Sequence, residues 1–447
     1  MTYDEFIASK TKTTLQTGIE PASMPSFFKP HQIDATTFAL KTGRAGCFLD
    51  TGLGKTLCEL EFARQSAIAT NGRALILTPL AVAKQIEREA HKFDYDASVI
   101  REQSDVKSDI SICNYDRLDK LDIAAFSSIV LDESSILKSF TGSVSRNIRE
   151  AFSQHRFRLS ATATPAPNDH MELGQHAEFL SVMKSVEMLS KFFINDTSKA
   201  SQEWRLKGHA EESFWNWMAS WAIMAESPAD LGHDASEYVL PELSIHHHSV
   251  GETALFSSPI TASATNIHDI KRATIVARAE KIASLIDDNY WVIWCDTNYE
   301  ADELIKFIPD AVEVRGSMSA DEKENSIAAF STGQVKRIIT KPSVCGYGLN
   351  WQHCHNMAFV GRSFSYETWY QAVRRCWRFG QKESVNVHIA VAEGEDQIGL
   401  VIDRKSEDHA KMKRAMSIAM RRAPGRMSET NVVYHPTHIA EVPQWLK

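Results

Sequence analysis

No C-x-x-C pair occurs among the seven cysteines of this 447-residue chain. A zinc site and a disulfide framework are therefore not expected, and a reducing cytosol fits. No run of about 18 apolar residues exists, which excludes a helical membrane span. Met1 to Lys10 lacks the charged-then-apolar pattern of a secretory leader. Low-complexity segments and internal repeats are missing too. So is any surplus of positive charge: the formal net charge is −8, which argues against binding nucleic acid by bulk charge. A local basic groove is still compatible with it, because the field in a cleft depends on the charges lining that cleft. Otherwise the composition is that of a globular protein, with 24% charged and 43% hydrophobic residues, and the length suits two or three domains.

The run Asp50-Thr51-Gly52-Leu53-Gly54-Lys55-Thr56 follows a short apolar stretch, Ala45 to Leu49. Gly52 and Gly54 let the backbone turn tightly, so that N–H groups face a phosphate. Lys55 then reaches β- and γ-phosphates, and Thr56 holds Mg²⁺. Leu49 stands where the general G-x-x-x-x-G-K-[ST] pattern has its first glycine. Downstream, Ser127-Ser128-Ile129-Val130-Leu131 reads as a strand ending in Asp132-Glu133. An isolated Asp-Glu pair reads as a solvated acidic turn. At the end of a second apolar strand it suits a Mg²⁺–ATP site, with Asp132 on the metal directly or through water and Glu133 deprotonating the attacking water.

Ala74 to Leu77 is a strand ending in Thr78-Pro79, and Asp109 to Cys113 one ending in Asn114-Tyr115. Arg156 to Ser160 is another, and Lys84 to His91 is helical in pattern. Such alternation predicts a mostly parallel sheet with function at the strands' carboxyl ends. Residues 170–250 differ. Phe214, Trp217, Met218 and Trp221 recur at helical spacing, the stripe of a core-facing helix, and Trp215 falls off it as the candidate for exposure. His246-His247-His248 lies in an extended stretch, so the three side chains alternate faces and do not converge on one metal. A linker rich in Ser, Thr and Gly follows near 250–265. Strands at Trp291–Trp294, Ala311–Val314, Val335–Thr340, Met357–Val360 and Val385–Ala392 then predict a second sheet. The expected division is 1–169 as a first α/β lobe, 170–250 as a helical Trp-rich insert and extended connection, 251–400 as a second lobe, and 401–447 as a C-terminal helix and tail.

The most specific string is Gln371-Ala372-Val373-Arg374-Arg375-Cys376-Trp377-Arg378-Phe379-Gly380-Gln381. Arg375 and Arg378 lie three apart, as on one helix face. Such a pair can neutralise charge on a transferring γ-phosphate. Here the chain resembles superfamily 2 helicase-type ATPases, close to the Swi/Snf-type DNA translocases. Their last motif, Q-A-x-x-R-x-x-R-x-G-Q, is met at every fixed position. Asp50 to Thr56 matches their D-x-G-x-G-K-T, and Phe28-Lys29-Pro30-His31-Gln32 resembles the segment whose glutamine reads adenine. Asp132-Glu133-Ser134-Ser135 resembles their Asp-Glu box, and Gly346-Tyr347-Gly348-Leu349-Asn350 their Gly-x-Gly-Leu-Asn motif. Thr162-Ala163-Thr164-Pro165 resembles their Thr-Gly-Thr-Pro motif, while Ser160-Ala161-Thr162 matches its Ser-Ala-Thr version, so the register stays open by two residues. The chain has no room for the large insertions of chromatin remodellers and looks more like compact helicase-like proteins of phages and prophages.

The resemblance implies two RecA-like lobes with ATP and Mg²⁺ between them. Its candidate catalytic residues are Lys55, Glu133, Arg375 and Arg378. Candidate nucleotide contacts are Gln32, Gly52, Gly54, Lys55, Thr56, Asp132, Gly348 and Gln371, with Thr56 and Asp132 on the metal. Candidate nucleic-acid contacts are Thr78, Pro79, Asn114, Tyr115, Thr164, Ser343 and Asn350. The leading reading is an ATP-driven translocase on double-stranded DNA with little sequence preference. The alternatives are a strand-separating helicase on DNA or RNA and an ATP-gated binding module without turnover. A cytoplasmic location, bacterial or in a phage-infected host, is expected. A basic C-terminal helix with Lys411, Lys413, Arg414, Arg421 and Arg422 also carries Met412, Met416 and Met420, so both a partner and internal packing suit it.

Overall fold

The computed structural model describes residues 17–138, 143–167, 169–196, 203–251 and 266–422. The linker expected near 250–265 and the closing segment Tyr434–Lys447 lie largely or wholly outside these residues. The first lobe opens with α1 (Pro30–Thr42), β1 (Arg44–Leu49), α2 (Lys55–Thr70), β2 (Ala74–Thr78), α3 (Leu80–Lys92) and β3 (Ala97–Val99). It continues through β4 (Ile110–Asn114), β5 (Ser128–Asp132) and β6 (Phe157–Ala161). Next come helices Leu173–Phe179 and Ser185–Phe192 and an antiparallel hairpin, β7 (Phe193–Asp196) with β8 (Glu203–Leu206). Helix α4 (Glu211–Ala219) and β9 (Ala222–Ala225) follow. The sheet order is β3-β4-β2-β5-β6-β1-β9, with every pairing parallel.

Strand alternation explains why this sheet is covered on both faces. Phe48, Leu75, Leu77, Ile129 and Leu131 point to the side that carries the Trp-rich helices. Ala45, Cys47, Leu49, Ala74, Ile76 and Val130 point to the side that carries α1, α2 and α3. The stripe Phe214, Trp217, Met218 and Trp221 packs into the first of these cores, as its spacing requires. The expectation for Trp215 is corrected: it is only 5% exposed, edge-on to Phe214 and His170. A second layer of residues before α4 covers the face that an isolated helix would leave open. The segment 170–250 also supplies sheet strands, since β9 extends the first sheet beside β1.

The second lobe contains β10 (Leu243–Ser249), β11 (Trp291–Trp294), β12 (Val312–Val314), β13 (Arg337–Thr340), β14 (Asn356–Phe359) and β15 (Val385–Val391). The order is β10-β15-β14-β11-β13-β12, again all parallel. Helix α5 (Tyr366–Val373) precedes β15, and α6 (Asp396–Arg422) ends the described chain. His246 and His248 share a face of β10, and the third ring against them is His388 of β15 rather than His247. Burial and those two neighbours push His388 down to about 4. Among the described residues no helix is long and apolar enough to cross a membrane.

His176 ties the insert to the first sheet. Its Nε2 lies 3.0 Å from Pro165 O and its Nδ1 2.7 Å from Ser160 Oγ. Burial pushes it down to about 4. A histidine whose folded pKa is depressed contributes stability that is complete above its unfolded value, near 6.5, and is lost as pH falls towards the folded one. Between about pH 7.5 and about pH 5 this group alone removes roughly 2 kcal/mol. Urea unfolding at both pH values should show that loss, with a shallower pH slope in His176→Asn; an unchanged slope in the variant contradicts the assignment.

Candidate functional site

β1 delivers the chain to Asp50, and the next turn is built on two glycines in the left-handed region, Gly52 at φ 90° and Gly54 at φ 80°. A Cβ on Gly54 would sit 2.0 Å from Gln32 Nε2. Helix α2 starts at once, so its first-turn N–H groups face the loop. Lys55 is half-buried there. Burial opposes its charge, but Glu133, Asp132 and Glu59 outweigh burial and raise its pKa. Thr56 stands beside it, half-buried.

The end of β5 brings in the carboxylates. Asp132 Oδ2 accepts a hydrogen bond from Thr78 Oγ1 at 2.7 Å, and its backbone oxygen accepts one from the Tyr115 hydroxyl at 2.7 Å. Burial and the neighbouring Glu133 push Asp132 up to about 6. Glu133 adopts φ 52°, a left-handed backbone rare outside glycine and a form of strain that gathers at functional sites. Thr162 Oγ1 donates to Glu133 Oε2 at 3.3 Å. Ser160 instead points to His176, so Thr162 is the residue of that segment that meets the carboxylates. Glu59, which the sequence did not single out, is fully buried with neither oxygen hydrogen-bonded. Burial and Asp132 raise its pKa well above the usual range.

The second lobe forms the opposite wall, and α5 ends at Val373. Arg375 and Arg378 therefore lie in the turns that follow and do not share a helix face, which corrects the sequence expectation. Arg375 is engaged at three points: Nε donates to Gln371 O at 2.8 Å, a terminal nitrogen to Gln371 Oε1 at 2.9 Å, and the other to Leu349 O at 3.0 Å. Burial lowers its pKa, and Glu133 is the carboxylate that opposes this most. Arg378 makes one bond, to Leu349 O at 3.3 Å, and its Nε is buried without a partner. Burial and the nearby Arg375 and Arg374 push it down to about 10.

Contacts between the lobes close the seam. Gln371 Nε2 donates to Thr164 Oγ1 at 3.0 Å, and Gln85 Nε2 to Gly348 O at 3.1 Å. Gly348 has φ 66°, and a Cβ there would lie 2.3 Å from Val82, so this glycine permits the lobes' close approach. Arg374, absent from the sequence candidates, donates from Nε to Thr51 Oγ1 at 2.5 Å. Tyr370 OH donates to Asp50 Oδ1 at 2.6 Å. Gln32 is held within its own lobe: its Oε1 accepts from Lys29 N and its Nε2 donates to Leu53 O.

The nucleic-acid candidates divide. Thr78, Tyr115 and Thr164 are buried, and their hydroxyls are hydrogen-bonded inside the protein. Strand-end side chains here turn inward because buried Asp132 needs donors. Asn114 is half-buried and its Oδ1 accepts from Asp116 N, while Pro79 is half-buried at the start of α3. Ser343 and Asn350 are exposed.

Residues 277–380 match the helicase conserved C-terminal domain. This helicase C-terminal match covers Gly348, Gln371, Arg375 and Arg378, which is the wall facing Lys55. No curated protein matches the chain. Among solved structures, the SWI2/SNF2 ATPase core of Sulfolobus solfataricus, in complex with dsDNA, is similar over 92% of this chain and 98% of its own, at 17% identity and TM-score 0.41. A likeness that distant fixes neither substrate nor activity.

The two arginines differ in what they hold. Arg375→Ala strips three bonds and should lower stability by about 2–4 kcal/mol. Arg378→Ala loses one long bond and relieves like-charge crowding, so it should cost less than about 1 kcal/mol. Denaturant midpoints of the two variants decide the point; equal losses contradict it.

Proposed function

We propose that the chain is an ATP-dependent motor that hydrolyses ATP in the cleft between its lobes and translocates on double-stranded DNA with little sequence preference. One observation carries the reading: Lys55, Asp132 and Glu133 of the first lobe and the Gln371–Arg378 run of the second meet across one seam. Three buried carboxylates face one ammonium, which is a fitting environment for a divalent cation. Among the described residues no three His, Cys, Asp or Glu side chains converge on one metal point. Mg²⁺ takes one or two carboxylates and fills its shell with water and phosphate oxygens. Bound there, the ion supplies charge neutralisation at the phosphates.

The protein's own groups then have distinct tasks. Thr56 Oγ1 and Asp132 hold the metal, and Lys55 Nζ holds the β/γ-phosphates. Glu133, fixed by Thr162, takes a proton from the attacking water at its carboxylate. Arg378, with its free Nε, meets charge that develops on the transferred group. Gln371, bonded to Thr164, links the walls so that the site is complete only when the lobes close. The motif set of the Swi/Snf-type translocases, in the compact phage-like form, supports duplex DNA as the polymer. Exposed Ser343 and Asn350 supply polar groups for its backbone.

Lys55→Ala should abolish phosphate release. Glu133→Gln should bind ATP as wild type does and yet fail to turn over, since an amide is no base; near-normal turnover removes Glu133 from this role. Arg378→Ala should lower kcat by about 10³-fold or more with a far smaller change in ATP affinity. Duplex DNA should stimulate hydrolysis, and its affinity should fall about tenfold or more between about 50 and about 200 mM salt. Displacement of a triplex strand with a forked duplex left intact supports translocation, whereas an opened fork supports a strand-separating helicase. Stimulation by RNA alone contradicts both DNA readings.

A further inference from the structure

Helix α6 is a single helix of 27 residues, about 40 Å long, and it belongs to both lobes. Ile398 and Ile402 near its start lie in a core of the second lobe. Met412, Met416 and Ala419 lie in the first lobe's core with the Trp-rich helix α4. The apolar half of the C-terminal helix is therefore packing, and Lys413 sits within it. Its ammonium is buried 3.4 Å from Asp50 Oδ2, 3.1 Å from Glu226 Oε1 and 3.4 Å from the Tyr370 hydroxyl. Lys411 and Arg414 on the same helix face water instead.

Asp50 is the first residue of the glycine loop. Its Oδ1 accepts from Thr51 N at 2.6 Å and from Tyr370 OH, its Oδ2 lies 3.3 Å from Arg374, and its N–H donates to Ala225 O. Two carboxylates, Asp50 and Glu226, are thus balanced by two cations, Arg374 and Lys413. Arg374 is also committed to Thr51, at both Oγ1 and O. Withdrawing Lys413 leaves two acids to one guanidinium that already serves the loop, and a buried carboxylate short of cations moves towards water or takes a proton. Either change shifts Thr51 and the glycines behind it.

We propose that Lys413 is a positioning residue for the glycine loop, acting through Asp50, so that the loop is set for phosphate only while the C-terminal helix is docked on the first lobe. The kinetic part rests on the reading of the cleft as an ATP site; the structural part does not. Removing the charge at Lys413 loosens residues 50–56 while Met412 and Met416 keep the helix in place.

The test compares wild type, Lys413→Met, Lys413→Arg and Asp50→Asn/Lys413→Met by amide hydrogen exchange of the 50–56 segment and by steady-state ATP hydrolysis. In Lys413→Met, exchange of that segment should quicken about tenfold or more with exchange of α4 unchanged, and kcat should fall about tenfold with KM within about twofold. Lys413→Arg should restore both, and the double variant should be less impaired than Lys413→Met alone, because the buried Asp50 carboxylate that lost its cation is gone. Unchanged exchange at 50–56 in Lys413→Met overturns the proposal, and so does equal acceleration throughout the chain. A wild type that hydrolyses no ATP overturns the function proposed above, and the exchange comparison still decides the role of Lys413.

Discussion

Asp50 carries its charge where β1 gives way to the glycine loop, almost out of reach of water. Burial alone would raise its pKa. Arg374, Lys413 and the Tyr370 hydroxyl outweigh burial and hold it below the ordinary carboxylate range. These partners come from α5, the turn just after it and α6, and Ala225 at the end of β9 fixes the backbone. Segments separated by hundreds of residues are thereby gathered on one side chain. Through Asp50 these side chains tie the two lobes together. The aromatic surround, Trp377, Tyr370 and Phe379 against the Arg374 guanidinium, keeps water away and strengthens the pair.

A few residues along, the balance is reversed. Lys55 faces Asp132, Glu133 and Glu59, and burial raises the pKa values of Asp132 and Glu59 rather than leaving those acids satisfied. The seam is complete at Asp50 and incomplete at Asp132. A fold that neutralises one buried carboxylate so thoroughly leaves Asp132 and Glu59 short of cations a few residues away. Arg378, crowded by two arginines and short of acceptors, is the matching excess of positive charge on the second lobe.

The strands, the glycine loop and the Asp-Glu pair were legible because they depend on local pattern: β-branched runs, two glycines and their spacing. The Gln371–Gln381 string was legible for the same reason. Arg374 and Lys413 were not, because Arg374 falls at a free position of that string and Lys413 lies among the solvated basic residues of its helix. Their meaning comes from Asp50, more than three hundred residues away. Thr78 and Tyr115 sat at the expected strand ends, but direction along a strand end depends on which buried group needs a donor. Trp215 was misplaced because helical spacing describes one buried face, whereas α4 is covered on two. The strands β9 and β10 lie in a stretch whose tryptophans and histidines drew the reading away from sheet pairing.

The central claim is that one nucleotide site is shared by both lobes. A crystal structure with Mg²⁺, ADP and aluminium fluoride tests it most directly. The metal should lie at Thr56 and Asp132, the phosphates on the loop from Gly52 to Thr56, and Arg378 on the fluoride group from the opposite wall. Nucleotide bound elsewhere, or bound by the first lobe with Arg378 turned away, would contradict it.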